Sequence, residues 1–543
     1  MSAPCLSVST DAAADLILYN GNMITMEPSL AAASVLAVHG SEIVYVGHDA
    51  KEAARLISPE AKKCDLEGLT VVPGLIDGHA HLISEGLRLG QISVMNKSQA
   101  EAVETVRTEA SRRKPGEWIH GYGWNQQQWP GEEWPTKEEL DAAAPLNPVV
   151  LDRLDKHSMW VNSQALAAAR LTNQSQAPAG GELLRRENGE LTGIVIGTAM
   201  KAVWAVIPAQ DAQGMTEAIM RAQAEYLSFG ITSVMDAGVT TAALKVMHQG
   251  YETRQLKLRI RGMLLAYTGD DERYLAAGGS RTHGLYGERF SLEGLKIHSD
   301  GSLGSRSAWL LQDYADRPGH RGSHTYSLEE LTAKMELARD HELAVSIHAI
   351  GDAAVGQAVE AMERVLTRRP CDHRWRIEHF QVTTERDRDR ALALGIIPSL
   401  QTVGLMNDLS MAGERLGPEA IRRAYAWRNF LQGGGIVVNG SDGPVESVNP
   451  FEGLYAAVSR RNLAGFPDGG WYPEHKLTRR EALASYTTWA AYSEFNEHRK
   501  GSLAPGKLAD LAVLDRDPLT CPEDDIKDIK VAFTVLGGEI VYG

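Results

Sequence analysis

Eight short apolar runs, each closing on glycine or polar residues, are spread through the middle of this chain. They are "GLIDGHAH" (74–81), "GITSVMDAG" (230–238), "LKLRIRGML" (256–264), "LEGLKIHSDG" (292–301), "LAVSIHAIG" (343–351), "RWRIEHFQ" (374–381), "GIIPSLQ" (395–401) and "GIVVNGSDG" (435–443). Between several lie helix-like segments such as "SLEELTAKMELARDHE" and "GDAAVGQAVEAMERVLTRR". Strand–helix alternation of this kind means parallel β-α-β units, because a parallel strand needs a long crossover. Eight units predict an α/β fold, a (β/α)8 TIM-type barrel. The 543 residues are too many for one ordinary domain, and 43% apolar residues are enough for a large core.

The two ends carry another pattern. "ADLILYNGNMITM" and "VLAVHGSEIVYVG" alternate around Asn-Gly and Gly-Ser turns, and the last 40 residues do the same in "ADLAVLDRDP" and "IKVAFTVLGGEIVYG". Neither end suffices alone. We expect residues 1–73 plus 495–543 to form one small composite β-sandwich, and residues 74–494 to form the barrel. Within the barrel, about 91–228 is too long for one crossover and reads as an inserted subdomain.

A net charge of −15 argues against nucleic acid and anionic membranes as partners. The four cysteines, Cys5, Cys64, Cys371 and Cys521, form no C-x-x-C, which favours a reducing compartment over a disulfide framework. The start, "MSAPCLSVSTDAAADL", has no basic region or long apolar core, and no run of ~20 apolar residues exists to span a membrane. A cytoplasmic protein is the expectation.

The chemistry concentrates at the strand ends. In a strand, residues i and i+2 share a face, so His79 and His81 converge. That pair alone is weak evidence: with 17 histidines in 543 residues, chance supplies about half of one such pair. The other strands add to it. The fourth run carries Lys296, His298 and Asp300 at alternating positions, the fifth ends with His348, the sixth with His379 beside Glu378, and the eighth with Asp442. Closure of a barrel turns those C-terminal ends into a ring, where barrel enzymes build their sites. Clustered histidines and a carboxylate are costly in a core without a partner, and a divalent metal supplies one. Imidazole with carboxylate suits Zn²⁺ and tolerates Mn²⁺, Fe²⁺ or Co²⁺.

These motifs resemble those of the amidohydrolase superfamily of metal-dependent hydrolases, most closely its YtcJ-like branch (amidohydrolase family 3). "PGLIDGHAH" looks like the first-strand metal motif and "LKIHSDGSLGSRSA" like the lysine motif; "SIHAIGDAAV", "RIEHFQ" and "NGSDGPVESVNPFEGLYAAVSR" match the fifth, sixth and eighth strands. "GSLAPGKLADLAVLD" resembles the return strand of a split β domain. The resemblance implies one or two divalent metals: His79, His81 and Asp442 bind the more buried one, and His348 and His379 bind the second where there are two. It implies that Lys296, carboxylated by CO₂, bridges the two. The other reading keeps Lys296 as an ammonium paired with Asp300. His298 departs from the family pattern, and reads as a spectator, an extra ligand or a substrate contact.

The implied reaction is cleavage of the C–N bond of an N-acyl or N-formyl amine by metal-activated hydroxide, with Asp442 moving the proton. The alternatives are hydrolysis of cyclic amides, esters or lactones at the same centre, and a non-catalytic ligand-binding or regulatory barrel. On the substrate side, Trp118, Trp124, Trp129 and Trp134 fall within 17 residues of the insertion and either line an apolar pocket or anchor a loop. Trp124, His157, Asn162, Arg306 and His298 are the candidate substrate contacts, with Arg153 a further anchor for an oxygen. A small-molecule amide is the expected partner, and a homodimer is an expectation that comes with the family.

Overall fold

The computed structural model describes residues 14–154, 157–178, 180–266, 269–368 and 371–543. Cys5 and most of the N-terminal stretch read for a signal lie outside the described residues. Each of the eight apolar runs contains a strand: β1 (Leu75–Ala80), β2 (Ile231–Val239), β3 (Arg259–Leu265), β4 (Phe290–His298), β5 (Ala344–Ala349), β6 (Arg376–His379), β7 (Ile397–Leu400) and β8 (Val438–Asn439). They pair in parallel, in chain order, from β1 to β8. The helices Leu328–Asp340 and Asp352–Leu366 follow β4 and β5; a capping box of Ser327 and Glu330 starts the first.

The seam between β8 and β1 closes through the residues just beyond the strands. Asp442 N–H donates to the His79 carbonyl at 2.7 Å, and His81 N–H donates to the Gly443 carbonyl at 3.0 Å. Glycine at position 78 makes this approach possible: a Cβ there would meet Val438 Cγ1 at 2.1 Å and the Asn439 carbonyl oxygen at 2.8 Å. The backbone contact that closes the barrel therefore also sets Asp442 against the two histidines of β1.

Eight strands from the two ends of the chain form one continuous sheet, in which Thr70–Pro73 pairs antiparallel with Leu511–Leu514. Leu16, Leu18, Leu36, Val38, Val71, Leu511 and Val513 cluster in its core, as period-two patterning requires. The pairing is a single ladder and does not by itself impose the two layers of a sandwich. Arg259 at the start of β3 ties the barrel to this sheet, giving Nε and Nη2 to Asp510 at 2.6 and 2.8 Å.

Residues Gly86–Ala218 form a separate compact unit around a six-stranded sheet. Among the described residues, no helix is long and apolar enough to cross a membrane.

Candidate metal centre

His79 stands at the middle of the ring of strand ends. It is fully buried, and its Nδ1 lies 2.5 Å from Glu378 Oε2. That bond assigns the proton to Nδ1 and leaves the Nε2 lone pair facing the cavity. Nε2 lies 3.4 Å from Asp442 Oδ1, and His81 Nε2 lies 3.1 Å from the same oxygen. His379 packs beside His79, with ring centroids 5.2 Å apart. One donor atom each from His79, His379 and Asp442 lies within 4.8 Å of the others. The tightest convergence thus draws from both of the ligand groups that the family resemblance implies.

The supporting shell explains how these side chains are held. Glu378 accepts from Arg376 Nε and Nη2, both at 2.9 Å, and from Ser346 Oγ at 2.6 Å. Arg376 also donates to the Gly78 carbonyl at 2.6 Å, so β6 braces β1. Asp77 accepts from His79 N–H at 3.1 Å and from Ser441 Oγ at 2.6 Å, pinning the loop that carries Asp442. Asp442 and His379 have φ of 59° and 72°, the left-handed region that costs a side-chain-bearing residue strain. Such strain persists when the surroundings over-determine it, as the seam bonds do here.

The electrostatics favour neutral imidazoles at His81 and His379 around an ionised carboxylate. Burial pushes the Asp442 carboxyl up, but His79 and His81 outweigh it and hold the group well below the usual carboxylate range. Glu378 is held well below its ordinary value in the same way, with Arg376 and His79 overcoming burial. Burial, followed by the nearby His348, drives His379 well below the ordinary imidazole value. Burial lowers His81 as well. His79 moves the other way: burial and Lys296 oppose its protonation, and Glu378 and Asp442 more than offset them. Neutral nitrogens with one carboxylate oxygen, anchored by a buried carboxylate behind the histidine, are the donor set of a Zn²⁺-type ion. The residues therefore fit a divalent metal.

His348 sits beside His379 with ring centroids 4.4 Å apart; its Nε2 is 3.3 Å from the Gly301 carbonyl and 3.4 Å from Asp300 Oδ1. Lys296 is buried with Nζ 3.3 Å from His79 Nε2. Its pairing with Asp300 is overturned: that carboxylate accepts instead from the backbone N–H groups of Trp309, Ile350 and Gly351 at 2.9, 3.1 and 2.9 Å. His298 lines the cavity, its ring 5.5 Å from that of His348, and burial with Lys296 and His348 nearby drives its pKa down to about 2.

Three of the substrate-contact expectations meet a different geometry. Trp124 is fully buried in the core of the insertion, packed against Trp129, Trp134 and Trp160, with Nε1 donating to the Leu151 carbonyl at 2.7 Å. The aromatic density that suggested a pocket lining is this subdomain's own core. Asn162 is fully buried too: Oδ1 accepts from Val149 N–H and Ala165 N–H, and Nδ2 donates to the Asn147 carbonyl, so it caps the helix Ser163–Ala168. Arg306 is engaged by Asp316 at 2.7 Å, outside the cavity lining. His157 is an exposed residue of the insertion. Arg153 donates to Gln126 and Asn125, both at 2.9 Å, within the insertion.

The cavity over the histidines holds about 420 Å³. Sequence reading noticed Glu378 without giving it a role, and missed Arg376, Gln381, Gln401, Asp408, Tyr425 and Glu446. The alternation of "RIEH", which puts Arg376 and Glu378 on one face, was the available signal for the first pair. A larger cavity of about 580 Å³ is lined by Leu392, Ile396, Phe430, Trp489 and Tyr492. It lies by the N-terminal ends of β7 and β8 and has none of the converging donors, so chemistry and not volume locates the site.

Known proteins resemble this chain over most of its length. The chain is 34% identical to Protein LONG AFTER FAR-RED 3 of Arabidopsis thaliana, over 97% of this chain and 92% of that one. It is 30% identical to the putative amidohydrolase YtcJ of Bacillus subtilis (strain 168), over 89% and 91%. It is 27% identical to the N-substituted formamide deformylase of Arthrobacter pascens, over 97% and 98%. An uncharacterized metal-dependent hydrolase from Pyrococcus furiosus superposes with a TM-score of 0.78 at 28% identity, covering 93% of this chain and all of that one. The family model described as "Amidohydrolase family" matches residues 62–542, and the chain, with its eight-stranded barrel and ring of histidines, belongs to the amidohydrolase family.

Proposed function

We propose that the protein is a metal-dependent hydrolase that cleaves the C–N bond of an N-acyl or N-formyl amine. One observation carries the reading: buried Glu378 orients His79 so that its free nitrogen converges with His379 and the ionised Asp442. A divalent ion held there supplies a nucleophilic water at neutral pH and polarises the substrate carbonyl. His79, His81, His379 and Asp442 are the residues proposed to hold it, with His348 available to a second ion. Asp442, an acceptor at neutral pH, takes the proton from the attacking water and returns it to the departing nitrogen, which leaves as a neutral amine. Burial lowers the Lys296 pKa, partly offset by Glu378 and Asp442, and so favours the neutral amine that reacts with CO₂. Carboxylation would turn this residue into an anionic bridging ligand. The resemblance to a deformylase of N-substituted formamides supports an amide substrate. The test is metal removal. Chelation is expected to abolish hydrolysis of a panel of N-formyl and N-acetyl amines, and added Zn²⁺ to restore it. Purified protein that hydrolyses amides without stoichiometric metal would refute the reading.

A further inference from the structure

Five barrel strands bring metal-type side chains to the cavity: β1, β4, β5, β6 and β8. Strand β7 brings none. The residue that follows it is Gln401, which lines the same cavity. Gln401 is 8% exposed, and neither its amide oxygen nor its amide nitrogen has a hydrogen-bond partner among the described residues. A buried side-chain amide orphaned at both ends is rare, because each unmade bond forfeits the solvation it gave up. Its acceptor and donor stand side by side. They match the N–H and C=O of a bound amide.

The wall that begins at Gln401 continues into the short helix Thr402–Asp408. Asp408 at its end lines the cavity, and its Oδ2 accepts from Gln381 Nε2 at 2.7 Å and from the Tyr425 hydroxyl at 2.5 Å. Glu446 packs on the same helix, accepts from Asn407, and also lines the cavity. With Asp442 the lining holds three carboxylates. Among the described residues no arginine lines it, and its one lysine, Lys296, is buried beside His79. Away from the metal centre, an anionic group would meet repulsion and no cationic side chain among the described residues of the lining. A cation would find two carboxylates that the metal centre does not use. Burial raises the Asp408 pKa, and a cation bound beside it would favour the ionised form.

We propose that Gln401, Asp408 and Glu446 form the specificity wall of this site, and that the substrate is a small amide carrying a protonated nitrogen away from the cleaved bond, such as a mono-N-acylated diamine. The proposal rests on the amide-hydrolase reading of the cavity. Gln401 aligns the amide, and the two acids hold the distal ammonium.

The experiment compares three formamides of matched length with Zn²⁺-loaded protein: N-(4-aminobutyl)formamide, N-pentylformamide and N-(4-carboxybutyl)formamide. A parallel series carries the same end groups on the acyl side. In one of the two series, kcat/KM is expected to be about tenfold or more higher for the cation than for the neutral amide, and lowest for the anion. Asp408→Asn keeps an acceptor for Tyr425 and Gln381; it and Glu446→Gln are each expected to collapse that preference. Gln401→Met keeps length without hydrogen bonding, and is expected to raise KM for cationic and neutral amides alike. Calorimetric binding of 1,4-diaminobutane and of butyrate, to protein with and without metal, gives a readout that needs no turnover. The diamine is expected to bind more tightly, and Glu446→Gln to remove the difference. Equal or better turnover of the anionic amides, or a cation preference that survives both acid variants, overturns the proposal while leaving amide hydrolysis standing. If no amide is turned over but the diamine still binds in preference to butyrate through Glu446, the amide reading falls and the cation selectivity stands.

Discussion

At the N-terminal face of the barrel, Arg259 and Asp510 are 1% and 4% exposed and meet in a two-bond ion pair at 2.6 and 2.8 Å. Lys500 likewise pairs with Glu494 and donates to Ser233 on β2. At the C-terminal face the charge is also buried, but the groups do not match one another. His79, His81, His379 and Lys296 crowd around one carboxylate, Asp442, with Glu378 already shared between His79 and Arg376. The first arrangement is closed at Arg259, whose guanidinium has its anion in Asp510, while the neighbouring Arg261 shares Glu494 with Lys500. The second is open: His79, His81, His379 and Lys296 crowd one carboxylate, and among the described residues the Gln401 amide has no hydrogen-bond partner. Buried charge is therefore not a marker of function by itself. Buried imidazoles converging on one carboxylate at the C-terminal ends of the strands are a better one.

Breaking each end should have different consequences. Asp442→Asn keeps size and one acceptor oxygen but cannot carry a proton at neutral pH, so kcat is expected to fall ~10²–10⁴-fold with a much smaller change in KM. Steady-state kinetics and metal content on one preparation check it; full metal with near wild-type kcat would remove Asp442 from proton transfer. At the closed end, Asp510→Ala strands Arg259 and is expected to cost ~3–5 kcal/mol of stability. The folded fraction should keep its metal and its turnover. A denaturant titration beside an activity assay separates the two, and a loss of metal would show that the two ends are coupled.

Glu378→Gln tests whether the anchor behind His79 belongs to the open end. It removes the charge that fixes the proton on Nδ1, and metal affinity is expected to fall ~10–100-fold, measured by competition with a chromophoric chelator. Unchanged affinity would reassign Glu378 to the closed kind of pairing, as the partner of Arg376 alone. The smallest effect is expected in the insertion. Trp124→Phe gives up the bond to the Leu151 carbonyl and should cost ~1–3 kcal/mol of stability, with no dependence of KM on substrate size. A size-dependent KM would restore Trp124 to the substrate side.

Much of the barrel was legible in the chain because its signals are local. Apolar runs of strand length, glycine at their ends and helical spacing between them are properties of ten-residue windows. The pair His79 and His81 follows from period two alone. Glu378 shows where local reading stops, because its role depends on His79, 299 positions away, and nothing in "RIEH" names that partner. The tryptophans show the opposite failure. Their density was visible, but whether an aromatic cluster faces a ligand or its own subdomain is settled only by what packs around it, and Trp124 packs on Trp129, Trp134 and Trp160.

The sequence by itself determined the eight strands, the residue types able to bind a metal, and their place at strand ends, because alternation and turn chemistry act between near neighbours in the chain. Tertiary structure alone decided which of those residues meet. Closing the seam at Gly78 sets Asp442 against His79 and His81, and pairing β6 beside β5 brings His379 to His348. It also decided that Asp300 is consumed by backbone N–H groups while Gln401 is left with none. The physical reason is that a buried polar group takes whichever partner the folded backbone presents, and that partner is fixed by barrel closure and not by distance along the chain.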